Sequence, residues 1–147
     1  DIFYFREKSE CDFLIKQNTD IPTSKFMTKI CTSYSKYFNK KYDRSGHLFQ
    51  DKFKQVRIDT NEYLVWLSAY IHQNPKVAGL TRNLEDWKWS SYQSFIEESK
   101  RNNFCDQKII LDQFKNKNDY QNFVENNFEV MKSRKDIKHL LLDTERG

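Results

Sequence analysis

The sequence predicts an α+β fold, in which a few short strands share the chain with two long helices and a set of small C-terminal ones. Three observations predict it. Ile2 to Phe5 and Cys11 to Ile15 are apolar or aromatic runs parted by the charged Arg6-Glu7-Lys8-Ser9, the pattern of a two-strand hairpin. From Thr23 the residues Phe26, Ile30, Tyr34, Tyr37 and Phe38 recur at three- and four-residue steps, which predicts an amphipathic helix of about five turns fading near Tyr42. Phe53 to Ile58 alternates apolar with polar residues and carries β-branched Val56 and Ile58, which reads as a strand.

The remaining elements follow in order. Asn18 to Pro22 is a loop, and Asp43-Arg44-Ser45-Gly46 is a turn. Asp59 is expected to start a second long helix, with Glu62 three residues on as its capping partner. That helix carries Tyr63, Leu64, Trp66, Leu67, Tyr70 and Ile71, an apolar surface so nearly continuous that the helix must be largely buried. Pro75 is expected to end it, and Gly79 marks a turn. Trp87-Lys88-Trp89-Ser90-Ser91-Tyr92 opens a short helix capped by Ser90 or Ser91, with Trp87 and Trp89 read as core rings. Glu98 to Asn103 reads as a linker. The clusters Ile109 to Phe114, Tyr120 to Val124 and Ile137 to Leu141 read as the helices of an appended bundle. This divides the chain into a main domain, 1–97, and a helical extension, 98–147.

The composition narrows the class of function. Aromatics make up 16% of the 147 residues, enough to build a core and grooves from rings although the chain is polar on average. No apolar run approaches the roughly 18 residues that cross a bilayer, so a cytoplasmic protein with no membrane partner is expected. Cys11, Cys31 and Cys105 are odd in number and widely spaced, which argues for reduced packing thiols rather than a disulfide framework or a zinc site. The net charge of +4 is unevenly placed. Between Pro22 and Ile58 nine basic residues, Lys25, Lys29, Lys36, Lys40, Lys41, Arg44, Lys52, Lys54 and Arg57, face only Asp43 and Asp51. Tyr34, Tyr37, Phe38, Tyr42, Phe49 and Phe53 are interleaved with them. Cations that track phosphates beside rings that stack bases are the chemistry of single-stranded nucleic-acid binding.

The segments Tyr37-Phe38-Asn39, Gly46-His47-Leu48-Phe49-Gln50-Asp51-Lys52-Phe53-Lys54, Tyr70-Ile71-His72-Gln73-Asn74-Pro75, Ala78-Gly79 and Trp89-Ser90-Ser91-Tyr92 stand in order. Together they resemble the REP-associated tyrosine transposases, relatives of the single-tyrosine HUH transposases of small insertion sequences. The resemblance implies a ferredoxin-like antiparallel sheet with packed helices, incomplete at its N-terminus, which binds single-stranded or hairpin DNA. It implies DNA cleavage and strand transfer through a 5′-phosphotyrosine, assisted by Mg2+ or Mn2+, and a homodimer in some branches. Carried onto this chain, Tyr70 is the nucleophile and Asn74, one turn later on the same helix face, is a metal ligand. Lys40, Lys41, Arg44, His47, Lys52, Lys54 and Arg57 are the expected DNA contacts, with His72 a surface or packing residue.

The chain departs from the family at its His-x-His pair. Its histidines are His47, His72 and His139, and Glu10 and Asp12 occupy the places of the pair. Two apart on a strand they share a face. They could complete an all-oxygen site with Asn74, be solvated carboxylates of a catalytically inactive DNA-binding relative, or mark a rearranged member. An RNA-binding domain using the same rings stays open as well.

Overall fold

The computed structural model describes residues 2–6, 11–49, 53–97 and 105–133, the first stretch by its backbone alone. Glu10, Lys52, the linker Glu98 to Asn103 and the cluster Ile137 to Leu141 lie outside the described residues. The fold is α+β and divides into two compact units, Asp1–Asp59 and Thr60–Gly147. The boundary read from the sequence at 97/98 falls inside the second.

The first unit contains β1 (Ile2–Arg6), β2 (Asp12–Lys16), α1 (Thr23–Lys41) and β3 (Lys54–Ile58). The strands form a three-stranded sheet in the order β2-β1-β3. β1 runs antiparallel to both neighbours, so β2 and β3 run parallel to each other on either side of it. With α1 as the connection, this is a split β-α-β unit. The register places Tyr4 opposite both Leu14 and Val56, and Arg6 opposite both Asp12 and Lys54. Asp12, Leu14, Lys16, Lys54, Val56 and Ile58 therefore belong to one face, and Phe13, Ile15, Gln55 and Arg57 to the other. Ile58 is buried on the first face. α1 has no side-chain N-cap, and Met27 and Thr23 are its buried positions. Lys40 and Lys41 stand in its last turn, where the helix dipole favours cations.

In the second unit α2 (Asn61–Val77) is the central element. A 3-10 turn at Leu84–Asp86, α4 (Lys108–Leu111), α5 (Lys117–Asn126) and α6 (Phe128–Ser133) all pack on it, and α3 (Tyr92–Ile96) packs on α5 and the 3-10 turn. Leu64, Leu67, Ala69, Leu84, Tyr92, Phe95, Ile110, Tyr120, Val124 and Met131 form the buried core. None of the described helices is long and apolar enough to cross a membrane.

Both ends of α2 differ from the sequence expectation. Its N-cap is Thr60, whose hydroxyl accepts the Tyr63 N–H at 3.2 Å, while Asp59 pairs with Arg57 at 3.1 Å. At the other end the helix runs through Pro75 to Val77. A proline this close to the C-terminus removes one intrahelical donor without stopping the last turn. The stop is Gly79, at φ +74°. Leu80 N–H donates to Pro75 O at 2.9 Å and Gly79 N–H to Lys76 O at 3.0 Å, the paired bonds of a Schellman C-cap.

The core of this unit holds a polar chain. His72 is 3% exposed, with Nδ1 2.7 Å from the Tyr120 hydroxyl and Nε2 2.9 Å from Ser91 Oγ. Tyr120 donates to Ser68 Oγ at 3.2 Å, and Ser68 donates to Val65 O at 2.7 Å. The Nδ1–H tautomer satisfies every member, because Ser91 then donates to Nε2. The rings of Tyr92, Phe95 and Tyr120 meet the imidazole edge-on. Next along α2, Gln73 Nε2 donates to Val124 O at 2.7 Å and ties the helix to α5.

Two expectations follow for stability. Gly79→Ala should cost about 1 kcal/mol in chemical denaturation, since a Cβ there meets nothing within 4 Å and only the backbone conformation resists it. Pro75→Ala should cost nothing; a helix that ended at Pro75 would respond in the opposite order. Burial lowers the His72 pKa from 6.5 to about 3. The unfolded chain therefore takes up this proton first as the pH falls. The His72 contribution is complete above pH 6.5 and drains away toward pH 3, at about 1.4 kcal/mol per pH unit. Denaturation at stepped pH should show that slope in the wild type and a flatter one in His72→Gln, and equal slopes would refute a buried neutral imidazole.

Candidate nucleic-acid interface

The last turns of α1 and the loop behind them gather exposed rings and cations on the first unit. A helical step of three to four residues stacks Tyr34, Tyr37, Phe38, Lys41 and Tyr42 along adjoining rows. Tyr37 is 57% and Tyr42 54% exposed. Phe38 and Tyr42 are the closest ring pair, with centroids 4.5 Å apart. Tyr34 lies 6.4 Å from Tyr37, 6.1 Å from Phe38 and 6.3 Å from Phe49.

Asn39 sets the path of the loop. Its backbone carbonyl accepts Arg44 N–H at 2.8 Å and its side-chain amide donates to Gly46 O at 2.9 Å. Between these two bonds the chain turns back through Asp43, at φ +47°, and Gly46, at φ +96°. The turn carries Arg44 over the Phe38 ring, with Cζ 5.6 Å from its centroid, and leaves His47 exposed beside Gly46. Lys41 Nζ stands 5.6 Å from the Tyr37 ring centroid and 5.4 Å from that of Tyr42. The hydrogen bond with the Tyr37 hydroxyl, ahead of Tyr42, raises the Lys41 pKa. Lys40 is exposed beside it.

The other expected contacts are arranged differently. Lys54 and Arg57 are both exposed on β3, but their odd spacing sets them on opposite sheet faces, so they do not form one stripe. Arg57 is also engaged by Asp59.

The residues expected to carry chemistry lie apart from these rings along the chain. Tyr70 is 7% exposed on α2, and its ring stacks on Trp66 with centroids 5.5 Å apart and planes 13° from parallel. Asn74 is half-buried one turn later. Asp12 stands across the ladder from Arg6 in the strand register. Among the described residues no three His, Cys, Asp or Glu side chains gather into a group able to hold a metal ion. Of the ligands that the resemblance implies, Asp12 and Asn74 belong to different compact units and Glu10 lies outside the described residues.

Sequence reasoning missed the supporting role of Asn39 and the outward position of Trp89, which is 76% exposed. The glycine seven residues after Asn39 was the available signal for the first. Comparison with known proteins yields no match, either to a protein-family model, to a characterised protein or to a solved structure.

Proposed function

We propose that this chain is a single-stranded or hairpin DNA-binding module related to the REP-associated tyrosine transposases, with α1 and its loop as the contact surface. The observation that carries this reading is the Lys41 ammonium set between two half-exposed phenol rings, Tyr37 and Tyr42. Unpaired bases stack on such rings in a sequence-tolerant way while the cation meets the phosphates. Arg44 over Phe38 repeats the arrangement a few residues on. Because Asn39 holds the loop from both sides, the cations are placed before the ligand arrives and little ordering is left for binding.

The split β-α-β unit supports a ferredoxin-like lineage, since its three strands keep the antiparallel neighbours of that plan. The burial of Tyr70 favours binding over strand transfer, because a phosphodiester must reach the phenolic oxygen for in-line attack. The geometry therefore supports the module rather than the transposase reaction.

Fluorescence anisotropy with a labelled DNA hairpin bearing an unpaired tail tests the proposal. Tyr37→Ala combined with Tyr42→Ala should weaken binding by about 5- to 150-fold, the loss of roughly 1–3 kcal/mol of stacking. Lys41→Ala should flatten the plot of log K against log salt by about 0.7, one phosphate contact on a single strand. A duplex of the same sequence should compete poorly, and an RNA oligomer that competes better than DNA would move the reading to an RNA-binding domain. With Mn2+ present no covalent adduct is expected. An adduct that disappears in Tyr70→Phe would replace this reading with strand transfer.

A further inference from the structure

We infer that Trp89, with Lys88, is a second nucleobase-stacking site on the other compact unit, an inference that rests on the DNA-binding reading above. Two tryptophans separated by one residue meet opposite fates here: Trp87 is half-buried, while Trp89 is the most exposed large apolar side chain among the described residues, at 76%. The cause is a turn. Ser90 N–H donates to Trp87 O at 3.2 Å, which places Trp89 at the outer corner of a four-residue reversal.

The corner is held firmly. Trp87 N–H donates to Leu84 O at 3.3 Å, and Tyr92 N–H donates to Ser90 Oγ at 3.2 Å. Gln93 Nε2 donates to Glu85 O across the base of the loop. Ser91, the next residue, is bonded to the buried His72. An indole kept out of the core by a segment this constrained is presented rather than left over. Its ring has no aromatic partner among the described residues, and the Lys88 ammonium stands 4.7 Å from its centroid. One face thus takes the cation, and a base can take the other while its phosphate meets the same cation. The neighbouring carboxylates are engaged within the fold: Asp86 accepts from Asn83 at 2.9 Å and Glu85 from Gln121 at 3.4 Å. The group set directly against the ring is the Lys88 cation, which suits a nucleotide better than an apolar peptide.

Tryptophan emission reads this directly. Titration with oligo(dT) should quench the wild type, whereas an abasic oligomer with the same number of phosphates should quench far less. Trp89→Phe, which keeps a ring, should remove most of the quenching and leave the thermal midpoint unchanged. Trp89→Ala should weaken anisotropy-detected binding by about 5- to 150-fold. Binding through the α1 surface with unquenched emission and full affinity in Trp89→Ala would overturn this inference alone. Absence of binding to every oligomer would overturn it together with the proposed function. Equal quenching by the abasic oligomer would show a phosphate contact without stacking and would overturn it as well.

Discussion

Burial of an imidazole inside the Thr60–Gly147 unit is the constraint on which the packing there turns. His72 has two ring nitrogens to satisfy, and water cannot reach either. The two hydroxyls that satisfy them come from Tyr120 on α5 and from Ser91 at the start of α3. An unsatisfied nitrogen would cost about 1–3 kcal/mol, a sizeable part of the net stability of a small unit. Three helices are thereby set in one arrangement by a single side chain, beyond what their apolar faces alone would demand. Apolar contacts tolerate sliding; a shared hydrogen bond in a low-dielectric interior does not. Burial also pushes the Tyr120 phenol pKa above its ordinary value, so the hydroxyl keeps the proton that this chain of bonds needs.

The same logic on a smaller scale shapes the α1 loop. Asn39 uses its backbone carbonyl and its side-chain amide to fix two points of the following turn. Asp43 occupies a left-handed conformation between them, which costs an L-residue about 1–2 kcal/mol. That conformation lets the Arg44 N–H return to Asn39 O and sets the guanidinium over Phe38. The loop thus spends local backbone energy on the position of one cation.

What could be read from the sequence follows from how local each signal is. α1 and the strands at Asp12–Lys16 and Lys54–Ile58 were legible because periodicity over five or more residues is a property of the segment itself. The end of α2 was misread because Pro75 and Gly79 send competing signals four residues apart. Near a C-terminus a proline forfeits one donor, while a positive φ ends the helix outright, so the glycine wins. The same limit applies to Thr60, which displaced Asp59 as cap once Asp59 paired with Arg57. Burial of individual rings was the least legible quantity. Trp89 reads as a core ring from the sequence yet is exposed, and the Tyr70 ring is buried although its motif suggests a reactive phenol. Spacing tells which residues share a face. What covers that face depends on elements far away in the chain.

This difference bears on what the chain can do. Stacking and charge pairing need surface, and Tyr37, Lys41, Tyr42 and Trp89 supply it without rearrangement. Phosphodiester attack needs more: a nucleophilic oxygen within about 3–3.5 Å of phosphorus, and charge stabilisation on the phosphate. The Tyr70 ring is 7% exposed and stacked on Trp66, so its surroundings would have to open before a phosphate could reach the phenol. A binding role uses the rings and cations where they already stand, whereas a catalytic role needs a phenol that is buried on α2. Under the proposed reading, the groups that would meet DNA are those already at the surface.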